Sequence, residues 1–263
     1  GRLITDWSGV RVPEGPPYMT ARGAEVHSFF ILEGKMKLSG RLLAISENVT
    51  RGKGLADIGT DHGKLPVYLV LKGAIPFAVA SDNRPASLNK ACELVKTCGL
   101  GDKIDLRLGS GLDVLSPGEV PQIVIAGMGG PLIVEIINSA QARAAEKLIL
   151  QPMQYSEYLS RWLYDNKFDI MDEDLVEDGG RIYRMFVCHA GQPEQARDEI
   201  FYEVGEKLIQ KRHPLLGEYV IQLMGKYRYI YANNTDAGAR VKLKDKINKL
   251  EGILNEYKGT DDI

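Results

Sequence analysis

GLADIGTDHGKLPVYLV (54–70) passes within 17 residues from an apolar run, through a glycine-marked turn, into apolar residues at helical spacing. GLADIG (54–59) reads as a buried strand and KLPVYLVLKG (64–73) as the helix that follows it. A strand that feeds a helix through a short turn is the unit from which parallel sheets are assembled. The same alternation recurs downstream. FAVASD (77–82), KIDLRL (103–108), QIVIAG (122–127) and KLILQ (147–151) are short and rich in Val, Ile and Leu, as parallel strands covered on both faces are. Between them PASLNKACELVKTCG, PLIVEIINSAQARAAE and YSEYLSRWLYDN carry helical spacing. These units predict an open parallel sheet with right-handed crossovers and helices on both faces.

FDIMDEDLVEDGGRIYRMFVCHA (168–190) breaks the rhythm, with two extended runs around Asp178-Gly179-Gly180. This is the signature of a hairpin at the sheet edge. Five strand–helix units followed by a hairpin predict an α/β, Rossmann-like class I methyltransferase sheet with an antiparallel edge hairpin; a dehydrogenase sheet has six parallel strands. Past AGQPEQ (190–195) the strands stop, and 196–230 and 237–258 read as two helices around Ala232-Asn233-Asn234-Thr235. Val241, Leu243, Ile247, Leu250 and Leu254 form an apolar stripe, so the tail is expected to be a small coiled-coil-like helical hairpin. Residues 1–35 show no sustained period and contain the breaker cluster Pro13-Glu14-Gly15-Pro16-Pro17. They read as a leader or extension of unknown role, ahead of a domain over 36–190 and a helical domain over 191–263.

Composition sets the broad class. The chain has 263 residues, 44% hydrophobic and 26% charged, enough for one sizeable core and an appendage. No apolar run approaches the roughly 18–20 residues of a membrane span. Cys92, Cys98 and Cys188 are odd in number and lack CxxC spacing, which suits free thiols in a reducing cytoplasm. His27, His189 and His213 have no partners at ligand spacing, so no metal is expected. The net charge of −2 leaves any nucleic-acid contact to a local basic face.

The turn Asp57-Ile58-Gly59-Thr60-Asp61-His62-Gly63 lies where an open parallel sheet receives an adenosyl ligand, because glycine lets the backbone approach closely. The turn is not GxGxxG, which disfavours a pyrophosphate cofactor. Asp82, followed by Asn83, ends the second strand 25 positions after Asp57, where an acid can accept from both ribose hydroxyls of a nucleoside. Gly109-Ser110-Gly111-Leu112 follows the third strand and Ala126-Gly127-Met128-Gly129-Gly130 the fourth. All four turns sit at strand carboxyl ends and should converge on one crevice.

ADIGTDHGKLPVYLV, VIAGMGGPLI, LILQP and RWLYDNKFDI together resemble the bacterial tRNA adenine-22 N1-methyltransferase family, TrmK, from about Leu38 to His189. The resemblance implies a class I methyltransferase domain with a coiled-coil-like tail, S-adenosylmethionine as cofactor, and tRNA as substrate, methylated at N1 of an adenine. It places Asp57, Gly59, Asp61 and His62 on the methionine side and Asp82 in the position of a ribose-binding acid, usually Glu. It sets Ala126, Gly127, Met128 and Gly129 against cofactor and base. Two positions depart from the family: Gly63-Lys64 stands for Ala-Tyr, and Ser110 for the Asp that meets the adenine amino group.

N1 of adenine is intrinsically nucleophilic, whereas enzymes that alkylate the exocyclic amine use an [DN]PP[FY] loop after the fourth strand. Ala126-Gly127-Met128-Gly129 occupies that slot, so catalysis is expected through positioning, without an obligatory base. His62 is the candidate base, or a local hydrogen-bonding residue; Met128 faces the reaction, or packs. Candidate RNA contacts are Arg84, Arg181, Arg184, Lys207, Lys211, Arg212 and Lys249, with Lys242, Lys244 and Lys246 beside the last. Residues 201–263 hold 11 Lys/Arg against 9 Asp/Glu, so a solvated helix face explains these lysines equally well. The competing functions are a same-fold methyltransferase with another substrate, a cofactor-free interaction module, and, more distantly, an NAD-linked dehydrogenase.

Overall fold

A computed structural model describes residues 4–5, 11–12, 36–38, 40–192 and 198–259. The chain divides into two units, and in the first, Gly1–Lys35, β1 (Ile4–Thr5) pairs antiparallel with β2 (Arg11–Val12). Most of the 1–35 segment lies outside the described residues. Met36–Ile263 is the second unit and carries the sheet.

That unit opens with α1 (Gly40–Glu47) and continues through β3 (Leu55–Ile58), α2 (Lys64–Leu71), β4 (Ala78–Asp82), α3 (Pro85–Thr97) and β5 (Ile104–Leu108). Then come β6 (Gln122–Gly129), α4 (Gly130–Ile137), α5 (Ala140–Ala144), β7 (Lys147–Gln154), α6 (Ser156–Asp165) and the hairpin β8 (Phe168–Asp178) and β9 (Arg181–Ala190). The sheet order is β5-β4-β3-β6-β7-β9-β8, parallel through β7, with β9 antiparallel to β7 and β8 outermost. The predicted edge hairpin is therefore present. Its turn uses Gly179 and Gly180 at φ 60° and 73°, the left-handed pair a tight hairpin needs. Every residue of β3 and β4 is buried, which explains why they are apolar apart from Asp57, Ser81 and Asp82. Ile58, Ile123, Ile125, Leu148, Leu150, Phe168 and Phe186 build the central core.

The chain winds from β3 outward to β5, then returns to the other side of β3 with β6. The strand order reverses between β3 and β6, and the connections that leave these two strands run to opposite sides, which leaves a crevice at the carboxyl ends. Register brings those ends level, since Ile58 lies beside both Ser81 and Ile125. The turns that follow β3 and β4 therefore start beside the end of β6, where the expected fourth turn, Ala126–Gly129, is an irregular continuation of the strand with register shifts against β7.

The tail departs from the two-helix expectation. The segment expected as one helix over 196–230 is, among the described residues, α7 (Glu199–Val204), α8 (Glu206–Gln210) and α9 (Leu216–Asn233), before α10 (Ala237–Lys258). Gly205 causes the first break: its φ is +98°, and a Cβ there would stand 2.7 Å from Glu173 Oε2. His213-Pro214 makes the second, because proline disfavours helical geometry in the residue before it. The final helix matches its expected bounds. Val204, Leu208, Val220, Met224, Ile247 and Leu250 pack with Leu175 and Ile182, so the helices bury the outer hairpin.

Candidate active site

A cavity of about 560 Å³ opens at the carboxyl ends of the parallel strands. All four anticipated turns line it, through Asp57, Gly59 and Asp61, then Asp82, Asn83 and Arg84, then Gly109, Ser110 and Gly111, then Ala126, Gly127 and Met128. The size lies within the range of small-molecule sites, ~300–1,000 Å³. Backbone contacts hold the turns together. The N–H groups of Gly59 and Thr60 donate to Ser81 O at 2.8 and 2.7 Å, and Gly109 N–H donates to Asp82 O at 3.2 Å. A Cβ on Gly59 would lie 2.1 Å from Met128 Cε, so that side chain would have to shift, and the φ of +74° itself favours glycine at this turn.

Asp82 is 4% exposed. Its Oδ1 accepts from the backbone N–H of Arg84 at 2.7 Å and from Arg84 Nε at 3.4 Å. No donor among the described residues reaches Oδ2. The carboxylate is thus anchored by one oxygen and offers the other to the cavity, where the Ser81 hydroxyl is also buried without a partner. This is a donor-seeking wall that suits a vicinal diol. Asp57 is 7% exposed, and its pKa is pushed up to about 6, chiefly by burial, with Asp61 and Asp82 adding to the rise. A cation in the cavity would relieve that strain. A group that presents a ribose diol and a positive amino-acid end therefore fits the residues present.

The fourth turn is held from below by a residue the sequence motifs did not single out. Gln151, 2% exposed in the second half of β7, accepts from Gly127 N–H at 3.3 Å and from Arg41 Nη1 at 3.2 Å, and its Nε2 donates to Pro152 O at 2.8 Å. Arg41 arrives from α1, lines the cavity, and is anchored by Asp178 at 2.8 Å while its guanidinium lies 4.9 Å from the Tyr183 ring centre. A polar residue that closes an apolar strand was the available signal for Gln151. Arg41 had none, since only tertiary packing brings α1 over the crevice.

Several expected residues lie elsewhere. His62 adopts φ 61° and directs its Nε2 toward Lys90 Nζ at 3.3 Å and Asp61 Oδ1 at 3.4 Å; it does not line the cavity. Thr60, Gly63 and Gly129 shape the turns without facing the cavity. Gly63 serves at φ 67° as the N-cap of α2, and Gly129 caps α4 in extended conformation. Lys64, by contrast, does line the cavity.

Arg184 corrects the expectation of a nucleic-acid contact most clearly. Its side chain is 1% exposed, ion-paired with Glu173, and donates to Tyr202 O at 2.6 Å. It fastens α7 to the hairpin and cannot reach a phosphate. Lys211 is paired with Asp172 at 3.1 Å, and Lys249 with Asp198 at 3.0 Å and Asp245 at 3.3 Å. Arg212 donates to Tyr257 O at 2.6 Å. Arg84 and Arg181 are exposed, and Lys207 is half-buried. Among the described residues no cluster of three His, Cys, Asp or Glu is arranged to hold a metal, and no helix is long and apolar enough to cross a membrane.

A parallel sheet with an antiparallel edge hairpin, and a crevice closed by four strand-end turns, define a methyltransferase domain. The methyltransferase-domain family model matches residues 38–186. The chain is 32% identical over 222 residues to the tRNA (adenine(22)-N(1))-methyltransferase of Bacillus subtilis, covering 82% of this chain and 93% of that one. It belongs to that family. The crystal structure of the B. subtilis m1A22 tRNA methyltransferase TrmK superposes with a TM-score of 0.70 at 30% identity, covering 85% of this chain and 98% of that one. A Streptococcus pneumoniae protein crystallised with S-adenosyl-L-methionine gives a TM-score of 0.75 at 31% identity, over 83% and 100%.

Proposed function

We propose that this protein methylates N1 of an adenine in tRNA, adenine 22 in the D-loop region, with S-adenosylmethionine as methyl donor, in the cytoplasm. The observation that carries the reading is Asp82, whose free carboxylate oxygen shares one cavity with Gly59, Gly111 and Gly127. Asp82 would hold the ribose hydroxyls, Gly109–Gly111 the adenine ring, and Asp57 and Asp61 the amino-acid end. Bound S-adenosylmethionine supplies an electrophilic methyl group on a sulfonium.

The protein's own task is to place the target base. Adenine N1 carries a lone pair in the ring plane and no proton, so its alkylation requires no base at that atom. His62, turned toward Lys90, fits this requirement. Gly127 has φ +78° and open space where a Cβ would stand, so the fourth turn leaves room for a base edge. Gln151 fixes that turn through the Gly127 N–H, and Arg41 fixes Gln151. Methylation leaves the ring cationic while the donor loses its positive charge, so the net charge facing Asp57, Asp61 and Asp82 is unchanged across the transfer. The target must leave its stack to present the Watson–Crick edge. Arg84, Arg181 and the basic residues of the tail would then meet phosphates, with residues 36–190 acting as the catalytic part and 191–263 as a helical substrate-holding part.

The test is methyl transfer from labelled S-adenosylmethionine to an unmodified tRNA transcript, followed by nucleoside identification. 1-Methyladenosine, lost when adenine 22 is replaced by guanine, is the expected product. Recovery of 6-methyladenosine, or no transfer to tRNA, overturns the reading.

A further inference from the structure

The cavity lacks something its proposed substrate needs. A base held out of its stack loses π-contacts worth several-fold in affinity, and proteins replace them with aromatic side chains. Among the described residues no Phe, Tyr or Trp lines the cavity. Among the described residues the large exposed aromatics are Phe77, Tyr155, Tyr158 and Tyr229. Phe77 precedes β4, at the end of the sheet away from the crevice, and Tyr229 lies in α9. Tyr155 and Tyr158 follow the carboxyl end of β7, the end that delivers Gln151 and Met153 to the cavity.

Tyr155 is the more distinctive of the two. It is 57% exposed, and no group among the described residues hydrogen-bonds its hydroxyl. It also adopts φ +59°, in the left-handed region that costs a bulky residue energy and favours glycine or asparagine. Its backbone packs against the fourth turn: a Cβ on Gly130 would stand 2.3 Å from Tyr155 O, and Gly129 pairs with Gln154 in the sheet. Leu132, one turn into α4, lines the cavity yet is 47% exposed. An exposed aromatic residue therefore stands on a strained junction, two residues past the cavity-lining Met153, with its backbone against Gly130 at the start of the helix that carries Leu132.

We propose that Tyr155 is the stacking platform for the extruded adenine, with Leu132 completing the apolar lip. The proposal rests on the tRNA-methylation reading above and assigns the base-holding residue within it. Tyr155→Gly relieves the backbone strain, so the variant should fold and bind S-adenosylmethionine like the parent. It should lose about 5- to 100-fold in kcat/KM on tRNA, the worth of one stacked base. Tyr155→Phe keeps the ring and should restore the rate. A transcript with 2-aminopurine at the target position gives an independent readout: its fluorescence should be quenched by the parent and the Phe variant and remain bright with the Gly variant. Wild-type protein that forms 1-methyladenosine with kcat/KM and quenching unchanged in Tyr155→Gly overturns the stacking role alone. Wild-type protein that methylates no tRNA overturns the function as well.

Discussion

Gln151 accepts a hydrogen bond from the backbone N–H of Gly127 at 3.3 Å through the same oxygen that receives Arg41 at 3.2 Å. One buried carboxamide thus couples the turn beside the reacting atoms to a helix that precedes the sheet. Gln151→Leu leaves the Gly127 N–H and one arm of Arg41 without an acceptor, at a cost of about 1–3 kcal/mol. We expect kcat on tRNA to fall ~10- to 100-fold while affinity for S-adenosylmethionine changes little. Isothermal titration beside steady-state rates checks this; an equal loss in both would place Gln151 in cofactor binding instead.

Asp57 titrates near pH 6 in the folded protein against 3.8 for a free aspartate, chiefly because it is buried. An acid whose pKa is raised by folding favours the folded state below its unfolded pKa, and that contribution is lost as pH rises through 6. The buried charge therefore costs the ligand-free protein up to about 3 kcal/mol at pH 7. Asp57→Asn should raise Tm by several degrees at pH 7.5 and hardly at all at about pH 3, below the free value of 3.8, where the carboxyl is protonated in the folded and the unfolded chain alike. Cofactor affinity of the parent should decline as pH drops below 6. Thermal melts across this range decide the matter, and a Tm gain independent of pH would refute the assignment.

Asp82 gives a simpler expectation. Truncation to Ala removes a charged acceptor for two hydroxyls and should weaken S-adenosylmethionine binding about 10- to 100-fold. Asp82→Glu moves the carboxylate outward by one methylene and should recover part of the loss. Equal affinities for parent and Ala variant would exclude ribose recognition by this residue.

The contact between Gly59 and Met128 can be probed as a pair. Gly59→Ala places a methyl group on Met128 Cε and forces an L-residue to φ +74°. The steric part can be relieved by shortening Met128; the backbone part cannot, and costs about 1 kcal/mol. A double-mutant cycle with Met128→Ala should therefore show favourable coupling on top of a residual penalty. Strict additivity in denaturant melts would mean that the two turns do not touch in solution.

Arg184 should behave as a structural residue. Arg184→Ala strands Glu173 in the interior and should cost about 3–5 kcal/mol. Binding of tRNA by the remaining folded protein should keep the parental salt dependence, because no phosphate contact is lost. A shallower salt slope, measured by filter binding, would return Arg184 to the RNA surface.

Much of this was legible from the residues. Buried parallel strands announce themselves as Val/Ile/Leu runs, and functional turns of such sheets fall at strand carboxyl ends, so Asp57, Asp82, Gly109–Gly111 and Gly127 could be placed together. The hairpin held its own warning about Arg184. In alternating strands it shares a face with Ile182 and Phe186, both of which are buried. Gly205, which breaks the tail helix, was equally visible as a breaker. Arg41 was not readable, because nothing in GRLLAISE says that this helix roofs a crevice formed by strands more than ten residues away. For His62 the motif left open a base or a local hydrogen-bonding residue, and its contacts with Lys90 and Asp61 at φ 61° match the second.

The abreast arrangement of Ile58, Ser81 and Ile125 limits how such a chain can diverge. Adding one residue to any of these strands would advance its turn by about 3.3 Å and invert the alternation behind it. Length changes must therefore accumulate at the opposite rim, where loops such as 98–103 and 115–121 enter the strands, leaving the ligand-facing rim metrically frozen.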